Sequence, residues 1–406
     1  MRLLFISNLY PSSAEPQRAS FNLHLMKALS CCAEIRVVAP YYWFPGIHLL
    51  CGKKIPPPKE CIEGIDVTHP RVFYTPGLFI DKHWRMYAGS VRSHLEQVVR
   101  EFNPDEIMAG FAYPDGLAIL SVCRKLGRKC SIRVNGSDFR LRIRQAKFRN
   151  LVLRALTEAS QVFCHGEALK RDMVKEGIDS GKIVAFENGV DQDLFRYKEK
   201  EAARRELEPY LSADLRRCMQ MEAKNVILFV GNLVAVKGIN IAVEAMQYMV
   251  GDVLVVIGDG PMRKMLQKTI SRLGLTERVF FAGVRSQKEI ARWMNMADRL
   301  CLPSRSEGMP NVVLEALTSG LPVVATPVGS CADLLSGEKT AVLIERDMGV
   351  ESTRAGEVQA LVKALIVSQR LIVDRESLAT RYRDRFQWDR AAKTILEALL
   401  TNKQCG

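Results

Sequence analysis

One stretch of the sequence decides the fold: Ser304-Arg-Ser-Glu-Gly-Met-Pro-Asn-Val-Val-Leu-Glu-Ala-Leu-Thr-Ser-Gly320, followed at once by Leu321-Pro-Val-Val-Ala-Thr326. The order of these residues predicts a loop, a short helix and then a buried strand. Gly308 allows the backbone to approach a ligand closely, and Pro310 suits the first turn of a helix, where an N–H is free in any case. The stretch therefore predicts a ligand site at the start of a helix.

Two carboxylates, Glu307 and Glu315, bracket the junction between this loop and this helix. The backbone amides of residues 308–312 would lie at the positive end of the helix, which binds anions readily. At most about 12 Å of helix rise separates the two glutamates, roughly the reach from a nucleotide's ribose to a sugar on its diphosphate. Taken alone, however, the spacing is more typical of a surface helix with two solvated glutamates, so the neighbouring motifs must decide.

Length and composition limit the class of protein. The 406 residues are enough for two domains, and 48% hydrophobic with 25% charged residues is typical of a soluble globular protein. No run of 18 apolar residues predicts a membrane span, and residues 1–8 resemble a first strand rather than a signal peptide. The eleven cysteines include no C-x-x-C spacing, so we expect reduced thiols in a cytoplasmic protein. No cluster of metal-ligand residues is evident, and we expect no metal.

The net charge of +13 is concentrated in the first half of the chain. Residues 1–190 contain 27 Lys and Arg against 18 Asp and Glu, a net charge of +9, and the remainder carries +4. Such an excess attracts phosphate-rich partners, whether an anionic lipid, a lipid-linked diphosphate or a nucleic acid. Nucleic acid is disfavoured, because the chain has no zinc-finger spacing, no aromatic RNA-binding box and no basic heptads.

Short apolar runs alternate with helical patterns along both halves of the chain. In the first half the runs suit buried parallel strands, among them residues 3–7, 35–39, 65–72 and 106–109. This alternation predicts doubly wound α/β sheets, whose ligands lie at the carboxyl ends of the strands. A charged helical connector is expected at 196–224.

The combination of Glu-x7-Glu, a short helix and a Gly-Leu-Pro-Val-Val-Ala strand resembles the retaining glycosyltransferases of family 4. That family has the GT-B fold, in which two doubly wound Rossmann-like domains face each other across a cleft. The resemblance covers nearly the whole chain. Glu187-Asn-Gly-Val-Asp191 matches the family's hinge between domains. The resemblance implies an acceptor-side domain over 1–195, a donor-binding domain over 196–385, and a C-terminal helix at 386–406 that packs back on the first domain.

Further motifs of the second half carry the same resemblance. Val230-Gly-Asn-Leu-Val-Ala-Val-Lys-Gly238 is similar to the family's Gly-Arg-Leu-x-x-x-Lys-Gly loop, with Lys237 retained and Asn232 in the place of the arginine. The diphosphate would thereby lose the two parallel hydrogen bonds that an arginine guanidinium donates, and it would keep the single positive charge of the lysine. Phe281-Ala-Gly-Val284 resembles the loop whose backbone faces the nucleobase, and Thr326-Pro-Val-Gly-Ser330 resembles a turn near the donor.

By resemblance, Glu307 is the catalytic residue that meets hydroxyls of the donor sugar, and Glu315 meets hydroxyls of the ribose. Lys237 and the amides of 308–312 take the diphosphate without a metal. The implied donor-binding residues are Gly231, Asn232, Lys237, Gly283, Val284, Gly308, Met309, Pro310, Asn311, Val312 and Glu315. No carboxylate is an evident covalent nucleophile, which favours a same-face displacement assisted by the leaving phosphate. Arg285 or Arg305 are candidates to compensate for Asn232.

The acceptor side is marked by motifs of the first half. Phe111-Ala-Tyr-Pro-Asp-Gly116 resembles a pattern found in family members that assemble bacterial surface polysaccharides such as teichuronic acid; here Asp115 either accepts an acceptor hydroxyl or caps a helix. Arg133-Val-Asn-Gly-Ser-Asp138 resembles the family's His-Gly-x-Asp motif, with Asn135 in place of the histidine, so this position cannot transfer a proton. Arg18, in the loop after the first strand, is a weaker substitute for the family's Gly-Gly pair.

Two further segments have two interpretations each. The basic residues of 140–154 alternate with apolar ones at helical spacing, which suits either an anionic membrane or acceptor, or a solvated face over a packed helix. The Tyr-, Trp-, Pro- and Lys-rich insertion at 41–63 either contacts an acceptor or membrane, or is a packed loop.

The resemblance implies a hexosyltransferase that uses a nucleotide-sugar donor and a saccharide or lipid-linked saccharide acceptor, in the cytoplasm or at the inner face of the cytoplasmic membrane. Two alternatives remain open: a non-catalytic nucleotide-sugar-binding subunit, and a sugar-nucleotide epimerase of the same architecture. A nicotinamide dehydrogenase is disfavoured, because Gly258-Asp-Gly-Pro261 lacks the third glycine of a dinucleotide fingerprint.

Overall fold

The computed structural model describes residues 1–16, 18–44, 54–213, 215–216, 225–345 and 353–404. Parts of the predicted 41–63 insertion and 196–224 connector lie outside the described residues. The chain divides into two compact units, a first unit of Met1–Gly189 with Trp388–Gly406 and a second unit of Val190–Gln387.

The first unit contains an eight-stranded sheet and a separate two-stranded sheet. Its strands are β1 (Arg2–Ile6), β2 (Glu34–Val38), β3 (Tyr41–Trp43), β4 (Lys59–Ile62), β5 (Ile65–Thr68), β6 (Arg71–Phe73), β7 (Glu106–Gly110), β8 (Ser131–Val134), β9 (Val162–His165) and β10 (Ile183–Phe186). The large sheet has the order β10-β9-β8-β7-β1-β2-β5-β4, and only β4 is antiparallel to its neighbour. β3 pairs with β6 in the small sheet.

Seven helices accompany these strands among the described residues of the first unit. They are α1 (Ser20–Ser30), α2 (His83–Phe102), α3 (Leu117–Lys125), α4 (Gly136–Ile143), α5 (Ala146–Glu158), α6 (Glu167–Lys175) and a C-terminal helix, Trp388–Gln404. The C-terminal helix packs on α1, where the rings of His24 and Trp388 stack with centroids 5.8 Å apart. It thereby completes the core on one face of the large sheet.

The second unit is built on a six-stranded, fully parallel sheet of order β13-β12-β11-β14-β15-β16. Its strands are β11 (Val226–Val230), β12 (Val253–Ile257), β13 (Val279–Gly283), β14 (Arg299–Leu302), β15 (Val323–Ala325) and β16 (Val342–Leu343). Its helices are α7 (Lys200–Leu207), α8 (Ile239–Ala245), α9 (Arg263–Arg272), α10 (Gln287–Met296), α11 (Asn311–Thr318), α12 (Cys331–Leu335), α13 (Arg354–Gln369) and α14 (Arg375–Arg385), so that the C-terminal helix is α15.

Each sheet is buried on both faces. Along β1, Leu4 and Ile6 enter one hydrophobic cluster while Leu3 and Phe5 enter another, because successive side chains of a strand point to opposite faces. Strand β12 divides its residues between two clusters in the same way. Two parallel sheets, each covered by helices, confirm the predicted fold class. Among the described residues, no helix combines the length and apolarity needed to cross a bilayer.

Two predicted elements were wrong in detail. The strand expected over 65–72 is divided, because Pro70 has no N–H for a ladder: β5 ends at Thr68, and β6 then pairs in the small sheet. The helical pattern of 140–154 forms parts of two helices, α4 and α5, with Gln145 in an extended conformation between them. The break lets Ile143 and Phe148 reach the same core, although five helical residues would turn them about 140° apart.

The junction between Gly189 and α15 gives a test of the packing of the first unit. A Cβ on Gly189 would lie 2.3 Å from the Trp388 backbone nitrogen. We expect Gly189→Ala to cost about 1–3 kcal/mol through overpacking, a fall of about 2–10 °C in Tm by differential scanning calorimetry. The matched control is Gly89→Ala, where a Cβ meets nothing within 4 Å on helix α2 and no loss of Tm is expected. Equal melting temperatures for Gly189→Ala and the parent protein would contradict this packing.

Candidate active site

The candidate site in the second unit forms where two loops meet at the carboxyl edge of the sheet. β11 and β14 are neighbours, so the loops that follow them lie side by side. Arg305 N donates to Val236 O at 2.7 Å, and a Cβ on Gly238 would lie only 2.1 Å from Pro303 O. Gly238 also has φ 68°, a conformation that favours glycine. The close approach of the two loops therefore requires a glycine at this position.

The meeting of these loops joins Lys237 to Glu307, which are 70 residues apart in sequence. Lys237 Nζ donates to both carboxylate oxygens of Glu307, at 2.7 and 2.8 Å. Ser304 Oγ donates to Glu307 Oε1 at 2.6 Å, and Glu307 is only 6% exposed. The sequence predicted separate contacts for the two residues, one with the sugar and one with the diphosphate. Here they form one ion pair, which fixes the orientation of the carboxylate.

The turn after β15 also contacts the loop that carries Glu307. Thr326 Oγ1 donates to Ser304 O, and Ser330 N donates to Gly308 O at 2.9 Å. A Cβ on Gly329 would lie 2.3 Å from Glu307 O. Three consecutive strand ends, those of β11, β14 and β15, therefore hold the loop that carries Glu307.

Helix α11 starts directly after this loop. Pro310 is its N-cap, and Asn311 is its first residue. The predicted anion site on the amides of 308–312 is incomplete at Pro310, which has no N–H. Within the described part of the chain, the amides of Gly308 and Val312 donate no hydrogen bond. They are donors available to an anion at a helix N-terminus.

Glu315 lies one turn into α11 and is partly buried. Burial raises the pKa of its carboxyl to about 7. Among the described residues, no side chain hydrogen-bonds or forms an ion pair with this carboxyl. Glu315 therefore differs from Glu307: it is a carboxyl without a partner, at a cost in desolvation that a hydroxyl-bearing ligand would offset.

The remaining predicted donor residues lie in loops at the same edge. Gly231 N donates to Ile257 O at 3.0 Å, and Gly258 N donates to Gly283 O at 2.8 Å, so the loops after β11, β12 and β13 run in contact. Asn232 and Val284 are exposed. The structure thus places all of the predicted donor residues along one edge of the second sheet.

The two arginines offered as substitutes for the missing arginine at Asn232 are already engaged. Arg305 Nη2 donates to Glu357 Oε2 at 2.6 Å, and Arg285 Nη1 lies 3.4 Å from Glu289 Oε1. Using either one for a diphosphate would break an existing ion pair. Lys237 is paired as well, but its partner Glu307 belongs to the candidate site itself, so its ammonium group already lies where the site needs a cation.

The predicted acceptor carboxyls, Asp115 and Asp138, are buried in the first unit. Asp115 Oδ2 accepts from Asn8 N at 3.0 Å and from the Tyr87 hydroxyl at 3.5 Å, so Asp115 braces the loop after β1 and does not cap α3. Asp138 Oδ2 accepts from Ala112 N at 3.2 Å. Burial raises the pKa of each carboxyl to about 7.

Asn135 belongs to a buried polar network that sequence reasoning did not find. Arg133 donates to Asn22 Oδ1, and its Nη2 lies 2.9 Å from His165 Nε2, which in turn lies 2.9 Å from Asn135 Oδ1. Burial, and secondarily the Arg133 charge, lowers the pKa of His165 well below its usual value, so the imidazole is neutral. Burial lowers the pKa of Arg133 to about 9. The only sequence signal for His165 is its place at the carboxyl end of a buried strand.

A pocket of about 250 Å³ opens in the first unit beside the loop after β1. Arg18 lines it and pairs with Glu15 at 2.6 Å. Asn8 lines it as well, and its side chain donates to the Tyr42 hydroxyl at 3.0 Å. Tyr10 is 2% exposed, and its hydroxyl has no partner among the described residues. The full lining is Asn8, Tyr10, Ser12, Ala14, Glu15, Arg18, Ala39, Pro40, Tyr41, Tyr42, Phe44, Lys54, Pro56, His69 and Tyr74.

The pocket gathers only part of the predicted acceptor set. Arg18 is in it, and Asp115 lies behind it through Asn8. Asn135 and Asp138 do not line it. Its aromatic rings come from Tyr10 in the loop after β1, from Tyr41, Tyr42 and Phe44 in the predicted insertion, and from Tyr74 after β6.

Comparisons with known proteins agree with this architecture. A family model described as Glycosyl transferases group 1 matches residues 219–355, and one described as Glycosyltransferase Family 4 matches residues 47–194. TuaC of Bacillus subtilis, a glycosyltransferase named for teichuronic acid biosynthesis, is 28% identical over 356 residues, which are 85% of each chain.

Two solved structures show the same fold along the whole chain. Sucrose-phosphate synthase from Thermosynechococcus elongatus has a TM-score of 0.77 at 16% identity and covers 100% of both chains. Anabaena HepE in complex with UDP has a TM-score of 0.70 at 19% identity and covers 99% of this chain and 100% of its own. The fold is that of the GT-B glycosyltransferases. Within that class, the chain belongs to glycosyltransferase family 4.

The raised pKa of Glu315 predicts a pH-dependent stability. The folded protein retains this proton up to about pH 7, whereas the unfolded chain loses it near its ordinary pKa of 4.5, so ionisation opposes folding as the pH rises between these values. We expect Glu315→Gln to melt a few degrees above the parent protein at about pH 8.5 and at nearly the same temperature at about pH 4.

The matched control for this prediction is Glu208→Gln, which changes an exposed carboxylate of the same unit. Its melting temperature should follow that of the parent protein at both pH values. A difference for Glu315→Gln that is independent of pH would show that the carboxyl is not protonated in the folded state.

Proposed function

We propose that the chain is a retaining, metal-independent hexosyltransferase that moves a sugar from a nucleotide-sugar donor to a saccharide acceptor in cell-surface polysaccharide biosynthesis. One observation supports this most strongly: the Lys237–Glu307 ion pair lies at the N-terminus of α11, within one helical turn or two of the partnerless Glu315. A carboxyl at each end, with a cation and free amides between them, fits the flanking hydroxyls and the phosphates of a sugar nucleotide.

The donor diphosphate would meet Lys237 and the amides of Gly308 and Val312. Lys237 remains 27% exposed although it is paired, so a phosphate can reach its ammonium group. As the bond to the sugar breaks, negative charge grows on the leaving diphosphate, and these fixed positive groups stabilise it more than they stabilise the ground state. This supply of positive charge from the chain itself is the basis for proposing that no metal is needed.

Glu307 would hold hydroxyls of the transferred sugar. Its carboxylate is oriented by Lys237 and Ser304, so it can accept from a hydroxyl without first reorganising. Because that carboxylate is committed to an ammonium group on both oxygens, it is poorly suited to attack the anomeric carbon. We therefore propose that the acceptor hydroxyl enters on the face that the phosphate leaves, with the leaving oxygen taking its proton, so that configuration is retained.

The pocket of the first unit is the proposed place of the saccharide acceptor. Aromatic rings of Tyr42 and Tyr74 offer apolar faces to a sugar ring, and Arg18 and the Tyr10 hydroxyl offer polar contacts. The relationship to TuaC supports a surface polysaccharide as the product, and a lipid-linked saccharide fits the +9 charge of residues 1–190. The described cysteines are all free, which agrees with a cytoplasmic location.

A non-catalytic sugar-nucleotide binder is the second candidate, because Asn232 stands exposed where the family carries an arginine. An assay across a panel of nucleotide sugars separates the candidates. Transfer to an acceptor, or slow hydrolysis of one donor, supports the transferase. Thermal stabilisation by a donor without any turnover would favour the binder, and donor conversion without acceptor would favour an epimerase.

The role of Glu307 gives a direct prediction. Glu307→Gln keeps the size of the side chain but removes the charge that holds Lys237 and the sugar hydroxyls. With the donor that the parent protein uses, we expect transfer to fall by about a hundredfold or more, with nucleotide diphosphate affinity changed by less than about threefold. Transfer rates come from single-turnover assays and affinities from calorimetric titration.

Glu208→Gln serves again as the matched control, and should leave both quantities unchanged. If Glu307→Gln transferred sugar at the parent rate, the proposed catalytic role would be wrong. A loss of nucleotide binding as large as the loss of transfer would reassign Glu307 to binding alone.

The unpartnered hydroxyl of Tyr10 tests the acceptor pocket. Tyr10→Phe removes a buried hydroxyl that has no hydrogen bond, so stability should stay the same or rise slightly. If an acceptor hydroxyl bonds there, the KM for acceptor should rise about tenfold while the KM for donor is unchanged. Tyr248→Phe, an exposed position of the second unit, is the control. An unchanged acceptor KM in Tyr10→Phe would exclude Tyr10 from acceptor binding.

A further inference from the structure

The turn between β6 and α2, residues 74–82, exposes two large apolar side chains. Leu78 is 62% exposed and Phe79 is 58% exposed. Adjacent Phe73 is 43% exposed as well. Such a group of exposed apolar side chains costs solvation and marks an interaction surface more often than chance.

This turn is held in a defined conformation. His83 Nε2 donates to Thr75 O at 3.1 Å and to Leu78 O at 2.9 Å, and Thr75 Oγ1 donates to Leu78 O at 3.0 Å. Phe79 has φ 50°, a left-handed conformation that is unusual for a bulky residue. The hydrogen bonds around His83 hold the backbone of this turn in place, with the Phe79 ring exposed.

Cations surround the exposed rings. The Lys82 ammonium lies 5.6 Å from the centre of the Phe79 ring, and the Arg85 guanidinium lies 5.3 Å from that of Trp84. Arg154, from helix α5, lies 5.9 Å from the same Trp84 ring and is also paired with Glu158 at 2.9 Å, with 47% of its side chain still exposed. Two helices far apart in sequence therefore place basic side chains beside one apolar tip.

The basic segment of 140–154 joins this surface through Tyr113. The Tyr113 hydroxyl donates to Ile80 O in the turn, while its ring lies 6.0 Å from the Arg142 guanidinium. Within the described part of the chain, Lys82, Arg85 and Arg142 form no ion pair with a carboxylate. The turn itself contains one acidic residue, Asp81, so these three cations leave a net positive charge on this surface.

We propose that Leu78, Phe79, Lys82, Arg85, Arg142 and Arg154, here called the tip surface, dock the first unit on an anionic lipid bilayer. Leu78 and Phe79 enter the boundary between headgroups and acyl chains, and the cations contact lipid phosphates. This goes beyond the transfer reaction, and it gives the basic segment of 140–154 a definite partner.

A bilayer fits this surface better than a protein does. Two exposed side chains bury far less than the roughly 800 Å² per partner of a stable protein interface. A plane of phosphates, in contrast, can meet several separated cations at once, and each adds to the attraction. One or two apolar anchors together with a basic patch are the combination that holds peripheral proteins on membranes.

The test is co-sedimentation of the full chain with vesicles, without donor or acceptor. We expect binding to vesicles of phosphatidylcholine mixed with phosphatidylglycerol and little binding to phosphatidylcholine alone. Leu78→Ser/Phe79→Ser should reduce the bound fraction about tenfold at any salt concentration. Lys82→Glu/Arg85→Glu should reduce it by a similar factor at low salt, since headgroup attraction is electrostatic.

The matched control is Tyr248→Ser/Val250→Ser, an exposed apolar pair of the second unit at 62% and 80% exposure. It should bind vesicles like the parent protein. Melting temperatures close to that of the parent protein establish that the variants are folded. If Leu78→Ser/Phe79→Ser is not folded, the single variant Leu78→Asp replaces it.

The proposal is overturned if the parent protein ignores anionic vesicles, or if Leu78→Ser/Phe79→Ser binds them as well as the control pair does. Unchanged binding of Lys82→Glu/Arg85→Glu would also overturn it. Transfer to a water-soluble acceptor is measured in parallel and should be the same in all of these variants. Failure of vesicle binding with intact transfer thus refutes the tip surface alone, and absence of transfer with intact binding refutes the proposed reaction alone.

Discussion

The parallel pairing of β11 with β14 is the constraint on which the candidate site depends. It places the loops after these strands side by side, and so brings the ammonium group of Lys237 onto both oxygens of Glu307. The approach is so close that a side chain at position 238 would overlap Pro303 O. A carboxylate buried to this degree would be costly alone, so the lysine both stabilises the loop and sets the direction in which Glu307 can accept.

The two units use burial of polar groups in opposite ways. In the second unit, the carboxyl of Glu315 has no partner among the described residues and the pKa is raised to about 7, as expected of a group that a ligand must complete. In the first unit, burial also raises the pKa of Asp115 and of Asp138 to about 7. Both carboxyls, however, accept hydrogen bonds from backbone amides, and they brace loops. A raised pKa alone therefore does not distinguish a binding residue from a structural one; the presence or absence of protein partners does.

The basic residues of the first unit also differ in their surroundings and therefore in their roles. Arg133 is buried against Asn22 and His165; burial, and secondarily the Arg133 charge, lowers the pKa of His165 and keeps the imidazole neutral. Arg140 and Arg149 are paired with carboxylates of α6 and its C-terminal end. Lys82, Arg85 and Arg142 instead lie against aromatic rings. The basic residues behind the net charge of +9 over residues 1–190 thus lie partly in the interior and partly at the surface, beside exposed apolar side chains.

The sequence by itself determined the α/β class, the family and the identity of the loop with Glu307 and Glu315, because strand periodicity, glycine turns and motif spacing are local properties of the chain. Tertiary structure alone decided which groups touch. The Lys237–Glu307 pair spans 70 residues, Arg305 is engaged by Glu357, and the pocket beside Tyr10 collects rings from three loops. Tertiary structure also decided where two predicted elements divide. The strand that begins at Ile65 ends before Pro70, which cannot continue a ladder, and the helical pattern that begins at Arg140 breaks so that Ile143 and Phe148 share one core. Contacts between distant segments depend on strand order, and strand order cannot be predicted from any single stretch of residues.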